Sequence, residues 1–273
     1  MCGRYAASAD LDELIEEFDV ELDRHEEPSR SVLVNPQHPP AGTPDWNMAP
    51  TKQGPVVLTR AVDGVPVRQL RLLTWGLVPA WAEDASVGAR MINARAESVA
   101  EKPAYGKALR ARRALVPAAG WYEWQLSPTA TDAKGKPRKQ PFYVRRGDGA
   151  SLAMAGLYEF WRDKRVTDPD DPNAWLVSFA VLTTAAEPGL DRIHDRQPLI
   201  LERTDWERWL APEVTDVEEI ADLLTYAAPG RFEAYPVSRD VSSNRNNGPH
   251  LIDPAPEAEL VGVVDPTTSE IIG

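Results

Sequence analysis

The chain has 273 residues, 42% of them hydrophobic, with a formal net charge of -12 and a single cysteine. That length can bury a core as one large domain or two small ones, while one Cys excludes an internal disulfide framework and a Cys-cluster zinc site. The four His residues (His25, His38, His194, His250) lack metal-ligand spacing, so no metal or cofactor is expected. With no basic-then-apolar leader and no apolar run near ~18 residues, the expectation is a cytoplasmic chain in a reducing setting without a membrane span.

In chain order, Leu11, Leu14, Ile15 and Phe18 predict an amphipathic helix over 8–20, with Ser8 as N-cap. Residues 21–45 are charged, then Pro-rich, and read as a surface loop or partly disordered insertion. Asn47-Met48-Ala49-Pro50-Thr51 is extended or turning, because the residue before a proline avoids the helical region. The apolar runs 55–60 and 66–73 flank Asp63-Gly64, a hairpin signal, and an aromatic turn follows over 75–81. A short helix interrupted by Pro103 and Gly106 is expected within 97–113. Strands are predicted at 114–117 and 121–125 around Gly120, and at 142–146 and 152–157 as a second hairpin through Gly147-Asp148-Gly149. Further strands are read at 175–184, 198–201 and 232–237. Helices are read at 204–210, capped by Thr204, and at 217–226. The acidic tail after Pro254 is expected to be loosely held. Strands dominate and hairpins link them, so the expected fold is α+β. It is read as one sheet-rich domain over 1–254 with short peripheral helices, followed by a tail over 255–273.

Charge is not uniform. Residues 88–146 carry thirteen Lys/Arg against four Asp/Glu, which suggests a local groove for a polyanion inside an acidic protein. The run Lys134-Gly135-Lys136-Pro137-Arg138-Lys139 is read as partly a solvated loop.

The lone cysteine is residue 2. If Met1 is removed, Cys2 carries a thiol and a free α-amine on adjoining carbons, a 1,2-aminothiol that condenses with an aldehyde through an imine to a thiazolidine. Free α-amines titrate near ~7.7–8.0 and thiols near ~8.5, so both are expected to be partly nucleophilic at neutral pH without drastic tuning. Three polar spots stand out elsewhere. Asn93, within Met91-Ile92-Asn93-Ala94-Arg95, can hold an oxyanion or cap a turn. Glu123, between Tyr122 and Trp124, either has a raised pKa or pairs with an Arg. His194, before Asp195-Arg196, is a general acid/base or a structural His. Arg4, Arg95 and Arg196 can grip phosphates or form surface ion pairs.

Together these motifs resemble the SOS response-associated peptidase (SRAP) family. The resemblance runs from Met1-Cys2-Gly3-Arg4-Tyr5 through Asn47–Thr51, Trp75-Gly76-Leu77-Val78-Pro79, Asn93-Ala94-Arg95-Ala96-Glu97, 113–124 and His194-Asp195-Arg196. It ends in Pro236-Val237-Ser238-Arg239 and Asn246-Asn247-Gly248-Pro249. It implies that Cys2 is the nucleophile capturing the aldehyde of an abasic site in single-stranded DNA. It further implies that Asn93 orients the adduct and that Glu123 and His194 are catalytic. Arg4, Arg95 and Arg196 are then the phosphate-gripping positions, and the N-terminus is self-processed. Trp81 is a candidate stacking face for DNA, with a core role as the alternative, and the resemblance suggests a monomer. Two departures from the family pattern are Gln197, where Met is common, and the apparent insertions at 21–45 and 162–173. Two rival classes remain: an N-terminal-nucleophile thiol peptidase or amidase, and a non-catalytic single-stranded DNA binder.

Overall fold

The computed structural model describes residues 2–168, 170–226 and 228–272. In chain order its elements are β1 (Tyr5–Ala7), α1 (Leu11–Glu17), β2 (Leu22–Asp23), β3 (Asp45–Met48), β4 (Gln53–Val62), β5 (Val65–Trp75), β6 (Asn93–Arg95), α2 (Gly106–Ala111) and β7 (Arg113–Ala118). There follow β8 (Gly120–Thr131), β9 (Pro137–Arg146), β10 (Leu152–Arg162), β11 (Trp175–Ala185), β12 (Arg196–Pro198), α3 (Trp206–Leu210), β13 (Phe232–Pro236), β14 (Val263–Val264) and β15 (Ile271–Ile272). The sheet-rich α+β expectation holds.

Turn chemistry sets the first hairpin. Asp63 and Gly64 both take positive φ, 50° and 84°, the left-handed pair of a type I′ turn, whose twist matches that of the strands it joins. The β4–β5 ladder then runs unbroken from Gln53↔Thr74 to Val62↔Val65. β4 continues through β7, β10 and β11, and β11 pairs in parallel with β5 (Ser178↔Thr74, Phe179↔Trp75), which closes five strands into a ring. β2, β6 and β12 extend it at its margins. A second sheet, in the order β13-β9-β8-β1-β3, lies against the ring.

Period-2 alternation divides the ring's side chains between two clusters. Val56, Leu58, Val116, Met154 and Phe179 meet Cys2 and, from the second sheet, Tyr5, Trp121 and Phe142. Val57, Leu115, Ala155 and Leu182 meet the helices, through Leu14, Phe18, Leu109, Trp206 and Trp209. Of the nine Trp, Trp75 and Trp121 are fully buried in the first cluster and Trp209 in the second.

Several expectations are corrected. The segments 142–146 and 152–157 do not form a hairpin. β9 pairs with β8 and β13, whereas β10 pairs with β7 and β11, so Gly147-Asp148-Gly149 carries the chain from one sheet to the other. Gly120 makes the opposite crossing, with only Ala119 between β7 and β8. A Cβ at Gly120 would meet the Tyr143 ring at 2.4 Å, so this crossing needs glycine. The first helix is capped by Asp10, not Ser8: the Glu13 carboxylate accepts the Asp10 N–H at 3.2 Å, a capping box. Thr204 lies inside a single 3-10 turn that starts after Glu202 and leads into α3. The 217–226 helix is a 3-10 stretch over Val217–Leu224.

The tail is not loose. Gln125 donates to the Val264 carbonyl at 2.9 Å and accepts the Val264 N–H at 2.8 Å. Ser127 donates to the Gly262 carbonyl at 2.7 Å, and Leu260 and Val263 are buried. The 21–45 segment is mostly irregular but tied down, by an Arg30–Asp163 ion pair at 2.7 Å and by Gln37 bonds to the Gln53 backbone. It therefore docks on the second apparent insertion. Among the described residues, no helix is long and apolar enough to cross a membrane.

Candidate functional site

Asn93 is placed by backbone pairing. β6 runs parallel to β11 with Asn93 opposite Val181, and the Ile92 carbonyl accepts both the Val181 N–H and the Trp75 indole N–H at 3.0 Å. From that fixed peptide the Asn93 Nδ2 donates to the Cys2 carbonyl at 2.6 Å. Its Oδ1 is buried without a hydrogen-bond partner among the described residues, an arrangement that an incoming donor would relieve.

Cys2 itself is fully buried. Burial, and then the charge of Glu123, push its thiol well above the ordinary range. This corrects the expectation of a thiol partly ionised at neutral pH. A thiolate in an apolar enclosure beside a carboxylate loses hydration and gains repulsion. The thiol is held as S–H, 3.9 Å from the Arg4 carbonyl.

Glu123 lies on β8 opposite Phe142. Alternation turns it toward the Trp121 side of the sheet while Tyr122 and Trp124 face the other way. The side chain is buried, and this pushes its pKa up to about 7, which is the raised-pKa alternative of the sequence reading. His194 follows a 3-10 turn over Leu190–Arg192 and donates its own N–H to the Leu190 carbonyl at 3.0 Å. Its Nδ1 receives the Arg196 N–H at 3.0 Å and also lies 2.9 Å from the Asp195 carboxylate. The amide requires a lone pair on Nδ1 and the carboxylate a proton, so one protonation state cannot satisfy both. Burial lowers the His194 pKa, which favours the neutral ring with its proton on Nε2. A narrow cavity of about 10 Å³, room for little more than one water, joins these groups, lined by Trp121, Glu123, Ile193, His194, Arg196 and Gln197. Gln197 accepts the Glu187 N–H at 2.9 Å, so a buried amide stands where the family often has Met.

The three arginines differ. Arg95 is exposed, with no ion pair among the described residues. Arg4 Nη1 donates to Asn47 Oδ1 at 2.6 Å and to the Val241 carbonyl at 2.9 Å, and its guanidinium lies 5.9 Å from the Trp124 ring centroid. Arg196 is already held by both oxygens of Glu97, at 2.5 and 2.9 Å, and by the Thr183 carbonyl. Its charge is locally neutralised, so a phosphate there competes with Glu97. Trp81 is 67% exposed, against the core alternative.

The sequence reading missed what supports this site. Asn47, fully buried, also donates to the carbonyls of Ser243 and Asn246 at 2.9 and 2.8 Å. Its N–H goes to Asp45, which pairs with buried Lys52 at 2.6 Å. The Asn47-Met48-Ala49-Pro50-Thr51 motif flagged this stretch, but partners almost two hundred residues away leave no local signature. Among the described residues, no cluster of three or more His, Cys, Asp or Glu is placed to hold a metal ion.

The sequence model described as SOS response associated peptidase (SRAP) matches residues 1–244. The chain is 35% identical over 255 residues to the abasic site processing protein YoqW of Bacillus subtilis, covering 93% of this chain and 99% of that protein. It is 34% identical over 255 residues to the abasic site processing protein YoaM of the same organism, with 93% and 98% covered. The fold is similar to a crystal structure of a protein from Bacteroides thetaiotaomicron, with a TM-score of 0.67, 24% identity and coverage of 93% and 100%.

Proposed function

The chain belongs to the SOS response-associated peptidase family, and from that premise we propose that it processes abasic sites in DNA by covalent capture through Cys2. The substrate is single-stranded DNA whose lesion carries a sugar aldehyde. A baseless sugar turns out of the strand toward Glu123 and His194 with little unstacking cost.

Autoproteolytic loss of Met1, a residue outside those described, consumes one water and frees the Cys2 α-amine. His194 assists opening of the sugar ring to its aldehyde. The amine adds to that carbonyl and water leaves as the imine forms, with Glu123 moving the proton. The thiol then adds to the imine carbon: an S–C bond forms, the S–H proton passes through Glu123 to the nitrogen, and the thiazolidine closes. One water is released from aldehyde and aminothiol, and nothing is oxidised. Asn93 holds the adduct, Arg4 and Arg95 bind flanking phosphates, Arg196 does so in exchange for Glu97, and Trp81 offers a face for a neighbouring base. A thiol held protonated suits this order, since it is called on only after the imine exists.

What carries the reading is the 2.6 Å hydrogen bond from Asn93 to the Cys2 carbonyl. It fixes the one residue able to present an amine and a thiol together, beside a carboxyl that titrates at about 7. The test is incubation with abasic and intact oligonucleotides, read on a denaturing gel. The expected result is a band resistant to denaturation with abasic DNA alone, absent for Cys2→Ala while binding persists. An undiminished band from Cys2→Ala removes Cys2 from the role. Peptide cleavage without DNA would favour an amidase, and salt-sensitive binding without lesion preference a simple binder.

A further inference from the structure

A second feature lies next to the candidate site and is not part of it. The β8–β9 hairpin and the 3-10 turn over Arg239–Ser242 enclose an open cleft of about 590 Å³, whose lining includes Lys136, Arg138, Lys139, Arg239 and Ser242. Lys136, Lys139 and Arg239 are exposed and carry no ion pair among the described residues. Asp132 also lines the cleft, but its Oδ1 accepts the backbone N–H groups of Lys134 and Lys136 at 2.8 and 3.0 Å. Arg138 is turned aside to the Glu259 carbonyl. In a protein of net charge -12, this is a local excess of uncommitted cations. Part of the stretch read from sequence as a solvated loop is therefore one wall of a cleft.

The cleft connects to the candidate site. Ser242 on its wall accepts the Trp124 indole N–H at 3.1 Å, and Arg4 sits over that ring. Lys139 pairs with Leu126, two residues beyond Trp124 and on the same face of β8, about 7 Å farther along the strand. Leu126 on this face is 58% exposed. β1 pairs with β8 only at Gly120 and Trp121. The Tyr122 N–H still donates to the Arg4 carbonyl at 2.9 Å, so among the described residues the β1-side edge of β8 is free of strand pairing from Glu123 onward.

We propose that this cleft binds the sugar–phosphate backbone of the DNA strand on one side of the lesion. The strand leaves the Glu123–His194 cavity around the free edge of β8, passes Arg4 and Trp124, and lays successive phosphates against Lys139, Lys136 and Arg239. The inference rests on the reading that single-stranded DNA is the substrate, and it adds a phosphate track that the catalytic residues do not require. Backbone contacts of this kind supply affinity and register but no sequence preference.

The test compares K139Q/R239Q with the wild-type chain and with R24Q/K164Q, which removes the same charge from exposed positions outside the cleft. Affinity for a long unmodified single strand is measured against salt, and crosslinking of a saturating abasic oligonucleotide of about three nucleotides is measured alongside. Each lost single-strand phosphate contact lowers the slope of log K against log salt by about 0.7. K139Q/R239Q should therefore lose about 1.4 from the slope and bind the long strand roughly tenfold more weakly at low salt. Its crosslinking of the short oligonucleotide should be unchanged, and R24Q/K164Q should match the wild type in both. Equal slopes in the two double variants overturn the phosphate track while leaving the proposed function standing. A wild-type chain that neither binds nor crosslinks single strands overturns both, and the wild-type arm alone reveals it.

Discussion

Glu123 faces two opposed demands: proton transfer needs a carboxyl that titrates near neutrality, and stability prefers one that stays hydrated. Burial raises its pKa from 4.5 to about 7. Between those values the folded chain binds more protons than the unfolded one, so this group lowers stability as pH rises through the window. The penalty is absent below about pH 4.5 and complete above about pH 7, where 2.5 pKa units correspond to about 3 kcal/mol. Glu123→Gln should thus raise stability by an amount of that order at pH 8 and leave it nearly unchanged at pH 4, measured by urea unfolding at both. Equal stabilisation at the two values would mean that the carboxyl does not titrate as described. At this scale much of the site is legible in sequence, because a lone Cys beside the N-terminus and a Glu between Tyr and Trp are visible one residue at a time. The ionisation of Cys2 is not, since it depends on what encloses the thiol. Nor is the capture of Arg196 by Glu97, a partner ninety-nine residues away in sequence.

β8 does the most positioning of any single element. One face presents Glu123 to the cavity and the other presents Trp124 to Arg4, while Gln125 fastens the tail and the loop before His194. The Gln125 Nε2 donates to the Arg192 carbonyl at 3.1 Å and to the Val264 carbonyl at 2.9 Å. Gln125→Leu is close in size but leaves those carbonyls and the Val264 N–H without their partner. It should cost about 1–3 kcal/mol for the buried groups left unpaired. Hydrogen exchange should rise across 260–266 and reach the 190–194 loop. Exchange confined to the global unfolding rate would contradict the tethering role. Element boundaries read well where chemistry is local, as in the Asp63-Gly64 turn and the alternating apolar residues of β4 and β7. The 142–157 hairpin fails for a physical reason. A Gly-Asp-Gly reversal specifies that the chain turns, and not which sheet receives the next strand. Here Phe232, far along the chain, takes the place beside Arg146. The tail likewise reads as loose because its acidic composition hides three backbone bonds to β8.

Across the whole molecule, folding redistributes the charge that the sequence concentrates at 88–146. Arg112 pairs with Glu159, Arg145 with Glu233, and Arg146 with Asp148 and Glu202. Arg113 is buried, its guanidinium bonded to the carbonyls of Leu109, Trp209 and Ala211. Much of the apparent basic groove is therefore spent internally, and the cations left exposed include Arg95, the β8–β9 hairpin and Arg239. The account as a whole depends on the N-terminal residue of the processed chain supplying both atoms of the ring. The most direct test is mass spectrometry of the crosslinked peptide after reaction with an abasic single strand. The account predicts a Cys2-terminated peptide lacking Met1, joined to the sugar with loss of one water, its thiol no longer alkylatable. A crosslinked peptide that keeps Met1, or whose adduct maps to a lysine while Cys2 remains alkylatable, would contradict it.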